Sequence, residues 1–141
     1  MGVILDTSIW IDVERGKLTP AEVAVVTGSE AVYLAPPILA ELQYGVERAP
    51  DPASQARRAA ALARIRRKPC LILDRETGEV FGRLAALLDS QGTPSKHRVN
   101  DLWIAAVAIQ NGMRLATGNA KDFTDIPGLD LLVLKPKASP R

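Results

Sequence analysis

The chain has 141 residues, enough for one domain with a substantial core. Hydrophobic residues make up 47% and aromatics only 4%, so the core has to be aliphatic, and a formal charge of +2 is too mild to mark a nucleic-acid binder by itself. One cysteine, Cys70, excludes an internal disulfide framework and a cysteine zinc cluster, and no apolar run approaches the ~20 residues of a membrane span. Met1 leads straight into Val3-Ile4-Leu5 without a basic leader, so a soluble, cytoplasmic protein is expected.

Val3-Ile4-Leu5, ending at Asp6, reads as a central strand of a parallel sheet. Asp6-Thr7-Ser8 offers cap chemistry for a helix through Ile9-Trp10-Ile11 and Val13 that stops near Gly16. Thr19-Pro20 starts a second helix. Val32 to Ala35 is a second strand, and Pro36-Pro37 opens a helix to about Glu47 with Ile38, Leu39, Leu42 and Val46 as its buried stripe. An Ala- and Arg-rich helix is expected over 53–68, a third strand at Leu71-Ile72-Leu73, with Cys70 beside it as a small core residue, and an amphipathic helix over 76–88. A loop holding His97 follows. Leu102 to Ile109 is apolar without a break, which a helix with one wet side would not be, so this helix should be buried nearly all round. Gln110-Asn111-Gly112 ends it. Met113 to Thr117 is a short buried strand, and Leu131 to Leu134 a last one.

Strands separated by helices imply parallel crossovers and a sheet covered on both faces. The expectation is a single α/β domain over 1–135, with a short parallel sheet of four to five strands, and a flexible tail over 136–141. In such sheets ligands collect beyond the carboxyl ends of the strands. Asp6 falls there, as do Asn119 and Asp122, just past the strand that ends at Thr117. Asp101 lies on the first turn of the buried helix, and Glu41, roughly 115° from the centre of its apolar stripe, at the edge of the buried face. Carboxylates gathered from four segments repel unless a cation holds them. Mg²⁺ and Mn²⁺ take oxygen ligands and leave room for substrate, so a cluster without an essential His or Cys points to metal-assisted phosphodiester chemistry. Each acid also has a structural reading: Asp6 as a helix cap, Asp101 at the positive helix end with Asn100 as cap, Glu41 as a rim residue, Asn119 and Asp122 in a turn.

Three stretches, LDTSIWID from Leu5, PPILAELQYGVE around Glu41 and NDLWIAAVAIQNGMRLATGNAKDF from Asn100 to Phe123, resemble the PIN domain, and within it the VapC toxins of bacterial VapBC toxin–antitoxin modules. The resemblance runs in order from Val3 to about Leu134. It implies a PIN-like fold in which Asp6, Glu41 and Asp101 match the acids that bind Mg²⁺ or Mn²⁺, Asp6 and Asp101 directly and Glu41 directly or through water. The fourth acidic position is Asn119, with Asp122 nearby. Thr7, Ser8 and Thr117 match supporting polar positions. The resemblance further implies an endoribonuclease toxin acting on tRNA or rRNA, a homodimer, and inhibition by a VapB-type antitoxin. Asn119 in place of an acid keeps open a catalytically weak RNA- or partner-binding domain. A phosphotransferase with Asp6 as nucleophile lacks the second acid expected at position 8, which is Ser, and a receiver domain lacks its acidic pair.

Arg57, Arg64 and Lys68 lie on a strongly basic helix. They read either as a solvated face or as a surface for RNA phosphates or an acidic partner segment. His97 is expected at the surface, and Trp10 and Trp103 in the core or a dimer contact.

Overall fold

The computed structural model describes residues 2–136. Four short strands, β1 (Gly2–Leu5), β2 (Ala31–Tyr33), β3 (Arg114–Thr117) and β4 (Leu131–Val133), form one parallel sheet in the order β2-β1-β3-β4. Between them run α1 (Thr7–Glu14), α2 (Pro20–Thr27), α3 (Pro36–Glu47), α4 (Pro52–Ile65), α5 (Arg75–Ser90) and α6 (Val99–Gln110). The chain passes from β1 to β2 on one side and later returns to β3 on the other. The strand order therefore reverses between β1 and β3, which is where a crevice opens in an α/β sheet.

Alternation along the strands splits the core in two. Ile4 and Leu115 point to one face, where they pack with Leu34, Ile38, Leu84, Leu88 and the apolar run of α6. Val3, Leu5 and Ala116 point to the other, against Ile9, Leu18 and Val23 of the α1–α2 side. Leu102 and Ile104 to Ala108 are fully buried, as an unbroken apolar helix requires. Gly112 takes φ +63°, the left-handed turn that ends α6. Trp103 stacks on Phe81 with ring centroids 4.2 Å apart, and Trp10 donates from its indole to the Leu5 carbonyl at 3.1 Å. Both are partly buried.

Three expectations need correction. Leu71-Ile72-Leu73 is not a strand. Segment 69–71 meets the free edge of β2 through a single bridge, with Leu34 N donating to Pro69 O and Leu71 N to Leu34 O, both at 2.8 Å. The capping box of Asp74 and Thr77 then starts α5, leaving too little chain for a ladder. Cys70 is exposed rather than in the core, because the edge it flanks is uncovered. Asn100 is not the cap of α6: Arg98 holds that position, without a side-chain cap bond, and Asn100 lies inside the first turn. In addition α4 ends at Ile65, short of the expected Lys68, with a turn carrying the chain to Lys68. His97 is exposed, as expected. No helix among the described residues is long and apolar enough to cross a membrane. The expected tail, 136–141, lies outside the described residues apart from Pro136.

Candidate active site

The crevice between the carboxyl ends of β1 and β3 is an open cleft of about 970 Å³, and Asp6, Glu41, Asp101, Asn119 and Asp122 all line it. β1 delivers Asp6 at its end. β3 delivers Asn119 two residues beyond its own end, and the 3₁₀ turn Ala120–Asp122 carries Asp122. α3 and α6 supply Glu41 and Asp101 from their first turns and a half.

Asp6 occupies the N-cap position of α1 but makes no side-chain cap bond. Its carboxylate faces the cleft floor instead. Ser8 Oγ donates to Asp6 Oδ2 at 2.9 Å, and the buried Thr117 Oγ1 donates to the same oxygen at 2.8 Å. Both hydroxyls are held in turn by backbone amides. Gly118 N donates to Ser8 Oγ and Asn119 N to Thr117 Oγ1, each at 3.0 Å. One oxygen of Asp6 is thus locked by two hydroxyls that each accept a backbone amide in turn, and Oδ1 is left uncommitted among the described residues. Thr7, the third supporting residue, donates from Oγ1 to Glu41 Oε1 at 2.7 Å, which turns the Glu41 carboxylate inward.

The acids sense one another. Asp101 is pushed up to about 6 by burial and then by the negative charges of Asp122, Asp6 and Glu41, with Arg98 opposing the rise. Glu41 is raised by burial and by Asp6, against hydrogen bonds from Thr7 and Asn100 that pull it down. Arg98 makes a two-pronged ion pair with Asp125, both contacts at 2.7 Å, while the same guanidinium donates to the Asp122 carbonyl at 2.6 Å. It therefore ties the 3₁₀ turn to the start of α6 and sets Asp122 beside Asp101. A half-buried group of like charges, with Arg98 the only cation among the named influences on Asp101, is what a divalent ion relieves. Among the described residues no three Asp, Glu, His or Cys side chains stand close enough to enclose an ion between them. That donor set suits a hard cation, which binds one or two carboxylates and keeps several waters.

Arg57, Arg64 and Lys68 are exposed and lie outside the cleft. Arg57 borders a small hollow with Glu14, Arg15 and Arg58. The cleft also takes in residues the sequence did not single out: Asp12, Lys17, Gly118 and Lys135. Asp12 was within reach, since it stands four residues after Ser8 on the same helix face. Lys17, Gly118 and Lys135 come from turns and carry no periodic signal, and Arg98 precedes its helix.

With the geometry in place, the comparisons with known proteins agree. The model of the PIN domain family matches residues 3–129. Ribonuclease VapC1 of Rickettsia felis is 34% identical over 139 residues, covering 97% of this chain and 99% of that protein. Among solved structures, VapBC2 from Rickettsia felis bound to a DNA fragment from their promoter shares the fold at TM-score 0.82 and 24% identity, over 96% of this chain and 100% of that one. DNA-bound VapBC from Salmonella typhimurium gives TM-score 0.78 at 27% identity, over 94% and 98% of the two chains. An acid-lined cleft at the switch point of a β2-β1-β3-β4 sheet, on a chain matched nearly end to end, belongs to the PIN-domain family and, within it, to the VapC ribonucleases.

Proposed function

We infer that this chain is the toxin of a type II toxin–antitoxin pair, a divalent-metal-dependent endoribonuclease acting in the cytoplasm on RNA such as tRNA or rRNA. The observation that carries this reading is the convergence of Asp6, Glu41, Asp101 and Asp122 on one cleft, where burial and then the charges of the other three raise Asp101 to about 6. A protein of ordinary stability does not assemble like charges without a use for them.

In this reading Asp6 and Asp101 hold Mg²⁺ or Mn²⁺ and Glu41 joins them directly or through water. When bound, the ion activates water for attack and offsets the charge that develops on the phosphate. The chain's own residues do the rest. Ser8 and Thr117 fix Asp6 through Oδ2 and leave Oδ1 to face the ion. Thr7 holds Glu41 at the rim. Asp101, raised to about 6, would have to be ionised to hold the ion, so occupancy would rise with pH through about 6. We assign the fourth acidic role to Asp122, whose charge is the largest electrostatic influence on Asp101, and leave Asn119 to position water or substrate.

The partners follow from the same reading: an RNA substrate, a VapB-type antitoxin and a second copy of the chain. Arg57, Arg64 and Lys68 offer a separate basic face for RNA or for an acidic antitoxin segment, and reversing all three to Glu should weaken one of those contacts. The deciding experiment is RNA cleavage by purified, antitoxin-free protein with Mg²⁺, Mn²⁺ or EDTA, beside Asp6→Asn and Asp101→Asn. Metal-dependent cutting that both variants lose is the expected result. A folded protein that binds RNA and never cuts it would overturn the enzyme in favour of a binding domain.

A further inference from the structure

The cleft is not uniformly acidic. Five carboxylates line it, those of Asp6, Asp12, Glu41, Asp101 and Asp122, and so do two ammonium groups, Lys17 and Lys135, from unrelated segments. Lys17 lies in the turn after α1. Its own amide and that of Leu18 both donate to the Asp12 carbonyl, at 2.8 and 3.1 Å. Gly16 takes φ +74° to allow the turn, and Leu18, 1% exposed, anchors it in the core. Lys135 follows β4, where Leu134 N donates to Thr117 O at 2.9 Å and so ties the chain to the end of β3. At Gly118, between β3 and the 3₁₀ turn, the Leu134 carbonyl and Ser8 Oγ lie at ordinary contact distance, 3.4 and 3.5 Å from where a Cβ would stand. Both lysines are therefore set on braced backbone.

The ion pairs among the described residues are Arg98–Asp125 and Arg114–Glu30, so neither lysine is committed to an acid. Nor does either figure among the charges that shift Asp101, whose cationic neighbour is Arg98. The cleft is thus mixed in charge. Glu41 and Asp101 come from α3 and α6, Asp6 and Asp122 from beyond β1 and β3, and Asp12 from α1, while Lys17 follows α1 and Lys135 follows β4. A polyanion entering a wholly acidic cleft would be repelled; one that crosses this cleft meets two lysines among the acids of its lining.

We propose that Lys17 and Lys135 form a phosphate subsite, gripping the RNA backbone next to the scissile phosphate and so fixing the side from which the strand crosses the acids. The proposal rests on the ribonuclease reading and deepens it. Lysine, a point charge on a flexible stem, suits contacts that position a backbone without reading its bases.

The test is anisotropy of a short fluorescein-labelled oligouridylate in EDTA, across a sodium chloride series, for wild type, Lys17→Ala, Lys135→Ala, the double variant, Lys17→Arg and the charge-matched control Arg83→Ala on α5. Each lysine-to-alanine change should weaken binding roughly three- to tenfold at low salt and flatten the dependence of log K on log salt by ~0.7, the value of one phosphate contact on a single strand. Lys17→Arg should retain the contact. Under cleavage conditions KM should rise in parallel while kcat holds. Wild-type affinity and salt slope in the double variant, an equal loss in Arg83→Ala, or no binding by wild type at low salt would each overturn the subsite. Should wild type bind and never cut, yet the lysine variants lose affinity as stated, the subsite stands and the ribonuclease reading falls.

Discussion

The two ends of the sheet handle charge in opposite ways. At the amino ends of the strands, Glu30 before β2 meets Arg114 at the start of β3, each side chain 25% exposed. One oxygen of Glu30 is buried without a hydrogen-bond partner among the described residues, yet the pair as a whole is neutral. At the carboxyl ends, Asp6, Glu41, Asp101 and Asp122 share a cleft with Arg98 as the cation at their edge. A matched pair braces two strands and asks for nothing more. An unmatched cluster raises the energy of the folded chain and is tolerable only if something outside the chain relieves it. Paired charge at one end and unpaired charge at the other distinguish a brace from a candidate site without reference to any relative.

Substitutions at the two ends should therefore part company. Asp6→Asn and Asp101→Asn are expected to lower metal-dependent RNA cleavage by ~10²–10⁴-fold, since each removes a group whose interaction with the cation is worth several kcal/mol in the transition state. Their circular dichroism and folding cooperativity should stay those of wild type. Glu30→Gln should do the reverse, costing ~1–2 kcal/mol of stability because it leaves the mostly buried Arg114 guanidinium without its counter-charge, and leaving the rate per folded molecule unchanged. Urea unfolding beside single-turnover cleavage reads both. A destabilised Asp6→Asn with full activity, or an inactive Glu30→Gln, would erase the distinction between the ends.

Arg98 sharpens the comparison, because it is the one ion-paired cation close to the acids. Its guanidinium holds Asp125 with two contacts and the Asp122 carbonyl with a third. Arg98→Ala should cost about tenfold in cleavage, by freeing the turn that sets Asp122 and removing the charge that opposes the rise of Asp101. Lysine cannot reproduce the fork, so Arg98→Lys should rescue little. A metal titration of activity measures it: the half-saturating concentration should rise in both variants.

How much of this was legible beforehand depends on where the information lay. Helix α6 could be read because eight consecutive apolar residues leave no wet face, six of them being buried, and because its polar ends, Asn100-Asp101 and Gln110-Asn111, mark where it meets water. Topology alone put Asp6, Asn119 and Asp122 together, because strand ends in a parallel sheet converge whatever the side chains are, whereas Glu41 and Asp101, on helices, were joined to them by helix phase and by the family resemblance. Leu71-Ile72-Leu73 misled because three apolar residues carry no period, and only the position of the Asp74 cap decides that the chain leaves the edge after one bridge. Asp6 looked equally like a cap, and what separates the readings is Thr117, 111 residues away, donating to its carboxylate. Contacts between residues so distant leave no local trace, and the same holds for Lys17 and Lys135.

The smallest expected effect tests the premise that the carboxyl end is unrelieved. Asp101 titrates near 6 in the folded protein against 3.8 ordinarily. Below 3.8 the group is neutral in both states and costs nothing. Between there and about 6 the folded chain keeps a proton that the unfolded chain has released, so stability falls as pH rises, and above about 6 the full cost persists. Allowing for partial exposure, that cost is on the order of 1 kcal/mol, or ~3 °C in Tm for a chain of this size. Metal-free Asp101→Asn should then melt at the wild-type temperature near pH 4 and ~3 °C higher at neutral pH. Glu41, raised in the same direction by burial and Asp6, should give a weaker version of the same pattern. Adding Mg²⁺ at neutral pH should reverse the order, because the ion binds only the folded state and binds it best with Asp101 ionised. Calorimetry at the two pH values, with and without the ion, gives four melting temperatures for each protein. A variant less stable than wild type in EDTA at neutral pH would mean that Asp101 is a brace like Glu30, and that the two ends of the sheet are alike after all.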